Sequence, residues 1–277
     1  MRLIRLHIIS IFYLYAVVSN AQGVFRSFAG PGPLALTVLP VTGDGATFLP
    51  GSAALLSQYT NSGISLGTTW PYTLANVLQA HAALVRPLQN NNFLGFQLGG
   101  QGDEALSEFF LGAAYAKKLS DKWSAGIQAG LLNTSILNWA SVWNFSVEAS
   151  TLFLINEELQ IGYRANFYTQ SISLEERPAQ WDHQLGIRFH PTNALVLGAE
   201  IVSSTLEDWH YHLYLTYQVQ EHLGIRFGQG FSPYQFGVGI DLNIWDGWMI
   251  QLAARYHPVL RWSPGIGLQI PLKKGSK

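Results

Sequence analysis

From Trp123 onward the chain alternates apolar and polar residues with a period of two, in runs of about ten residues each. Trp123, Ala125, Ile127, Ala129 and Leu131 fall on one face, and Ser124, Gly126, Gln128 and Gly130 on the other. The same rhythm starts again at Leu159, Trp181, Trp209, Tyr234 and Trp248. Strict alternation marks a strand with two unlike faces, because successive side chains leave a strand on opposite sides; helical spacing would scatter these sets over both faces. The length of the runs narrows the choice further. Soluble strands average about five or six residues, whereas a strand tilted across a bilayer needs roughly 9–11. The spacing predicts strands over 62–71, 74–85, 93–99, 107–118, 123–132, 142–155, 159–168, 180–190, 194–204, 208–218, 223–229, 234–244, 248–257 and 264–272. The expected fold is all-β, a transmembrane antiparallel β-barrel of about 14 strands. Twelve is the alternative even count, because the first three runs are the least regular.

Composition agrees with a lipid-facing exterior. Only 12% of residues are charged and 48% are hydrophobic. A soluble domain carries about a quarter charged residues. Sixteen Lys and Arg oppose 17 Asp and Glu without a basic block, so nucleic acid is not an expected partner. The chain has no Cys, which excludes disulfides, thiolate metal sites and Cys nucleophiles. Its 9 Trp, 12 Tyr and 15 Phe exclude a disordered chain.

The connections alternate in length. Leu119-Ser-Asp-Lys122, Asn156-Glu-Glu158, Pro191-Thr-Asn193, Val219-Gln-Glu-His222 and Trp245-Asp-Gly247 are tight and rich in turn formers. The intervening loops from Asn133 to Ser141 and from Gln170 to Ala179 are longer. Trp123, Trp245 and Trp248 sit beside the tight turns, and Trp143, Trp181, Trp209 and Trp262 beside the longer loops. Two Trp girdles are expected where rings meet lipid headgroups.

Residues 1–21 read as a signal peptide. Arg2 and Arg5 precede an apolar run from Ile8 to Val18, and Ser19-Asn20-Ala21 forms the small-residue cleavage site. The expected division is a leader over 1–21, an N-terminal segment over 22–61 that is a candidate lumen plug, a barrel over 62–272 and a tail over 273–277 in the periplasm. Near the C-terminus, Gly267-Leu-Gln-Ile270-Pro-Leu272 has the Gly-and-apolar spacing of a last barrel strand.

Function would have to sit on the inward face. Glu148, Arg164, Asp182, Arg188, Glu200, His210, His212, Arg226, Asp241 and Arg255 are the candidate lumen-lining residues, with signs mixed. Confined charges must be paired or hydrated, so the expectation is pairing across the lumen that stiffens a narrow barrel; a selectivity lining for a polar solute is the alternative. Catalytic, metal and cofactor sites are not expected. Asp208, His210 and His212 share a strand face, but His residues two apart on a strand lie roughly 7 Å from each other, awkward for one metal ion. His183 or His210 could serve a hydrolase as base, yet no spacing singles out a nucleophile. Gly99-Gly-Gln-Gly102 reads as a turn.

Two motifs carry a family resemblance. Ala29-Gly-Pro-Gly-Pro-Leu-Ala-Leu36 and Thr42-Gly-Asp-Gly-Ala-Thr-Phe-Leu-Pro-Gly-Ser-Ala-Ala-Leu55 resemble the N-terminal signature of the FadL/PorV-like outer-membrane barrels of Bacteroidota type. Leu49-Pro50 followed by Gly51-Ser52 replaces that signature's Asn-Pro. Phe109-Phe-Leu-Gly-Ala-Ala-Tyr-Ala-Lys-Lys-Leu-Ser-Asp-Lys-Trp-Ser-Ala-Gly-Ile127 is similar to the family's hairpin. The resemblance implies a non-enzymatic protein of the outer membrane, with outer-membrane lipid around it. Its PorV-like side implies an accessory of type IX protein secretion or surface assembly, with a secretion-machinery protein as partner. Its FadL-like side implies passive transport of hydrophobic small molecules.

Overall fold

The computed structural model describes residues 31–38, 40–43, 51–74, 77–138, 141–169, 180–205, 209–245 and 247–272. The expected leader, Asp208, the loop over 170–179 and the tail over 273–277 lie outside these residues. The fold is a closed antiparallel barrel of fourteen strands. In order they are β1 (Ser62–Thr69), β2 (Leu78–Pro87), β3 (Asn92–Gly102), β4 (Leu106–Lys118), β5 (Trp123–Ile136), β6 (Val142–Leu154) and β7 (Leu159–Tyr168). They continue with β8 (Gln180–Thr192), β9 (Leu195–Ser204), β10 (His210–Gln220), β11 (Leu223–Phe231), β12 (Gln235–Asn243), β13 (Met249–His257) and β14 (Arg261–Leu272). Each strand pairs with its sequence neighbours. The wall closes where β1 meets β14, from Ser62 against Leu272 to Thr69 against Gly265. Closure leaves no edge with bare N–H and C=O groups, the condition for a sheet in hydrocarbon. Among the described residues no helix is long and apolar enough to cross a membrane.

Fourteen strands form, and the first three are among them. Three local readings change. The predicted first strand ends at Thr69, because Pro71-Tyr72-Thr73 folds into a 3-10 turn with Tyr72 and Thr73 at positive φ. The second begins at Leu78 instead of residue 74. Gly99 to Gly102 belongs to β3 and is not a turn: Gly99 pairs with Phe110, and Gly102 with Ser107. The β3–β4 turn follows, where the Asp103 carboxylate accepts from the backbone N–H groups of Ala105 and Leu106 at 2.8 and 2.9 Å. Those bonds hold the Asp103 carboxyl below its ordinary range. The ionised form therefore supports the turn, and that support fades as pH falls through the lowered value.

The alternation becomes an outside and an inside. Leu111, Leu131 and Phe145 are cross-strand neighbours on the outer face of β4, β5 and β6, each more than two-fifths exposed. Ser124, Gly126 and Gly130 of β5 are buried. The Trp girdles also form: Trp123, Trp245 and Trp248 face outward at the tight-turn end, and Trp143, Trp181, Trp209 and Trp262 at the other. The outer rings cluster, with Phe236, Tyr256 and Trp262 at centroid separations of 5.1 to 5.5 Å. A cation in the middle of this outer face would meet hydrocarbon. Leu131→Arg is expected to cost about 2–4 kcal/mol, checked by denaturant unfolding of the barrel in phospholipid vesicles.

Candidate functional site

The chain ahead of β1 returns into the barrel. Helix α1 (Pro31–Leu36) packs on β10 to β14 and β1, whereas the 3-10 turn Ala53–Gln58 packs on β2 to β6. These are opposite arcs of one closed wall, so the described parts of the segment lie on either side of the lumen. Glycines clear the ground beneath them. A Cβ on Gly228 would fall 2.3 Å from the Leu36 carbonyl carbon, and one on Gly237 would fall 2.4 Å from the Ala35 oxygen. A Cβ on Gly162 would meet the Val41 oxygen at 2.6 Å, and one on Gly126 the Ala53–Ala54 peptide at 2.5 Å. Only a residue without a side chain admits such close backbone approach. Where the segment turns into β1, Tyr59 is buried with Leu56, Ala53, Val85, Phe93, Ala114 and Ala116.

Polar side chains on the inner face form two ladders across adjacent strands. The first begins on β6, where Glu148 Oε1 accepts from the backbone N–H of Ala53 at 2.6 Å. Arg164 of β7 lies 3.9 Å from Glu148 Oε2, donates to the Gly51 carbonyl and donates to Gln184 Oε1 on β8. Gln184 Nε2 donates to Glu200 Oε2 on β9 at 2.9 Å. Glu200 is 1% exposed, and its other oxygen accepts from the Val41 N–H at 3.2 Å and the Thr42 hydroxyl at 3.3 Å. Thr42 also shares a hydrogen bond of 3.0 Å with Tyr214 on β10. The second ladder runs from Arg226 Nε to Asp241 Oδ2 at 2.5 Å, from Gln251 Nε2 to Asp241 Oδ1 at 3.0 Å, and from Gln269 Nε2 to Gln251 Oε1 at 2.9 Å.

This arrangement corrects the expectation that the charges pair across the lumen. They pair between neighbouring strands instead, and two carboxylates face backbone N–H groups of the interior segment. The physical reason is supply: peptide N–H groups of the segment that its short helical turns leave unpaired, such as those of Val41 and Ala53, must find acceptors once buried.

The ten candidate lining residues divide accordingly. Glu148, Arg164 and Glu200 belong to the first ladder, and Arg226 and Asp241 to the second. Asp182 and Arg188 are buried on β8, with Asp182 accepting from Gln180 Nε2 at 3.0 Å. His212 Nδ1 lies 3.3 Å from the Thr37 hydroxyl, just beyond α1. His210 is bonded through Nδ1 with the Ser232 carbonyl, so the two histidines point to different partners. Arg255 is half-buried on β13 beside Ser263, which accepts from the Tyr72 N–H at 2.8 Å. His183 is on the lipid-facing side, 2.7 Å from the Tyr163 hydroxyl, and so cannot act inside the lumen. Sequence reasoning passed over Glu108, which accepts from Gln101 Nε2 at 2.5 Å, and His81, buried on β2. It also passed over the amide rungs Gln184, Gln251 and Gln269. All share the inward parity of their strands, a signal that a search for charges alone overlooks.

With this geometry in hand the chain can be set against known proteins. No protein-family model matches it, and no curated protein matches its sequence. Solved structures do match. The CymD monoaromatic hydrocarbon channel aligns with a TM-score of 0.68 at 10% identity, over 89% of this chain and 98% of its own. The toluene transporter TbuX of Ralstonia pickettii aligns at 0.60 and 11% identity, over 88% and 97%. The toluene transporter TodX of Pseudomonas putida aligns at 0.60 and 11%, over 88% and 95%. The barrel fold is theirs. At such low identity the likeness is one of backbone path, carried by a different set of side chains.

The first ladder makes a prediction. Glu148→Ala strips the Ala53 N–H of its acceptor and Arg164 of its counter-charge, and a cost of about 1–3 kcal/mol is expected for the buried group left unpaired. Hydrogen exchange at the Ala53 amide should accelerate in step, while the strand amides of β5 and β6 stay protected; Glu148→Gln, which keeps an acceptor, should change both less.

Proposed function

We propose that this chain is a non-enzymatic conduit of the outer membrane, surrounded by its lipid, through which small hydrophobic molecules pass. The N-terminal segment is its inner plug. The observation that carries the reading is the segment lying within the lumen, seated on glycines and tied by backbone hydrogen bonds to Glu148 and Glu200. A wall whose inner face is shaped around a separate stretch of chain suits gated passage better than a fixed pore. The neighbours support the same reading, since all three are named for monoaromatic hydrocarbon or toluene transport. They favour the FadL-like side of the resemblance over an accessory role in type IX secretion. The ladders fit it as well: they satisfy charge within the wall, as a conduit for hydrophobic molecules requires.

The test has two arms. Cells expressing the chain are expected to take up radiolabelled toluene several-fold faster than cells lacking it; equal rates would falsify the conduit reading. In planar bilayers the wild-type barrel should be nearly silent to ions, while the double variant Glu148→Ala with Glu200→Ala should show open-channel steps as the segment leaves. Toluene uptake at background, together with stable copurification of a secretion translocon, would give the role to the PorV-like reading instead.

A further inference from the structure

The outward faces of the strands carry two charges, and the two sit side by side. Arg86 near the end of β2 and Lys117 near the end of β4 are exposed and take the outward parity of their strands. The other charged side chains on the strands, acidic or basic, take the inward parity. In the register Arg86 stands opposite Leu94 of β3, and Leu94 opposite Tyr115 of β4. Lys117 follows Tyr115 on the same face, opposite Asn92 and nearer the β4–β5 turn. The two cations therefore flank β3, roughly 12 Å apart at the backbone from sheet spacing and rise. Two long side chains can close that gap on one group.

Their level in the wall is marked. The Tyr115 hydroxyl donates to Asn92 Oδ1 at 2.6 Å, toward the tight-turn end, and Trp123 of the girdle faces outward on the neighbouring β5. Such rings settle where headgroups meet hydrocarbon, and tight turns lie on the periplasmic side. Away from the turn, the outward column of β3 continues through Leu94, Phe96 and Leu98, the last two about half exposed. A pair of cations thus caps an apolar track. Neither has a hydrogen-bond or ion-pair partner among the described residues. The nearby acid is already taken, since Asp121 pairs with Lys118 at 3.4 Å, and exposed Lys122 adds a further positive charge on that turn. The β6–β7 and β10–β11 turns at the same end carry Glu157, Glu158 and Glu221, so the basic character belongs to this corner and not to the whole rim.

We propose that this corner binds the headgroup of an anionic phospholipid in the periplasmic leaflet. The phosphate lies between Arg86 and Lys117, and the acyl chains run along Phe96 and Leu98. A cation on the lipid face is costly at the midplane and tolerated at the interface, where its stem stays in hydrocarbon and its head reaches phosphate. An acidic protein would meet the exposed turn lysines as well, but it would leave the apolar track beneath the cations without a use. The inference needs a barrel in a bilayer and is independent of what passes through the lumen.

Phosphatidylglycerol and phosphatidylcholine with the same oleoyl chains make the test, since they share the phosphate and chains and differ in net charge. The full chain in detergent is mixed with equal amounts of both and examined by native mass spectrometry. Cations beside an anionic lipid surface each strengthen association a few-fold, so the first bound lipid is expected to be phosphatidylglycerol by at least fivefold. The double variant Arg86→Gln with Lys117→Gln should bring the ratio close to one. Arg261→Gln, which removes a charge at the opposite end of the barrel, should leave the ratio within twofold of wild type. Heat-modifiable migration on gels checks that each barrel is folded. Equal retention in the wild type, a preference that survives in the folded double variant, or its loss in Arg261→Gln would overturn the site. Equal retention of the two lipids together with binding of poly-glutamate would overturn it in favour of an acidic protein partner.

Discussion

Hydrocarbon offers the backbone no hydrogen bonds, and everything else in this molecule follows from meeting that condition with strands. A sheet in lipid must end by joining itself, and β1 with β14 does so over the whole length of β1. Once the wall is closed, the two faces of each strand face different solvents. The outer face can be uniformly greasy, as Leu111, Leu131 and Phe145 are. The inner face must settle its own polarity, because buried charges and polar groups need partners.

Polarity is settled sideways, strand to strand. Glu148, Arg164, Gln184 and Glu200 pass hydrogen bonds from β6 to β9, and Arg226, Asp241, Gln251 and Gln269 do the same from β11 to β14. Neutral amides between charges let each ladder cross several strands without stacking like charges on neighbours. The residual capacity of the first ladder goes to the peptide groups of the interior segment. The second ends at Gln269, whose Oε1 has no partner among the described residues.

The barrel was largely legible in the sequence because the bilayer imposes both a period and a length. Wherever ten residues alternate, the strand is there, and the Trp residues mark its ends. The misreadings occurred where backbone chemistry overrides the pattern. Pro71 and the left-handed Tyr72 and Thr73 cut short the first strand, while Gly99 to Gly102, which look like a turn by composition, are needed in β3 as bare wall. The interior ladders were half legible. Charges on the inward parity were found, but their partners could not be, since pairing depends on which strand sits beside which and on a segment that carries no period. Gln251 and Gln269 are ordinary letters until the register sets them beside each other on β13 and β14.

The elbow at Tyr59 has a mechanical meaning. The interior segment enters the wall at β1, one of the two strands of the seam, so a pull on residues 31–43 would bear first on the join that seals the cylinder. Tyr59 and Leu56 are wedged among Val85, Phe93, Ala114 and Ala116 on β2, β3 and β4, away from β14. The wedge works as a strain relief, like the grip where a cable leaves its housing. A load on the segment would be taken up by β2, β3 and β4 before it reached the seam.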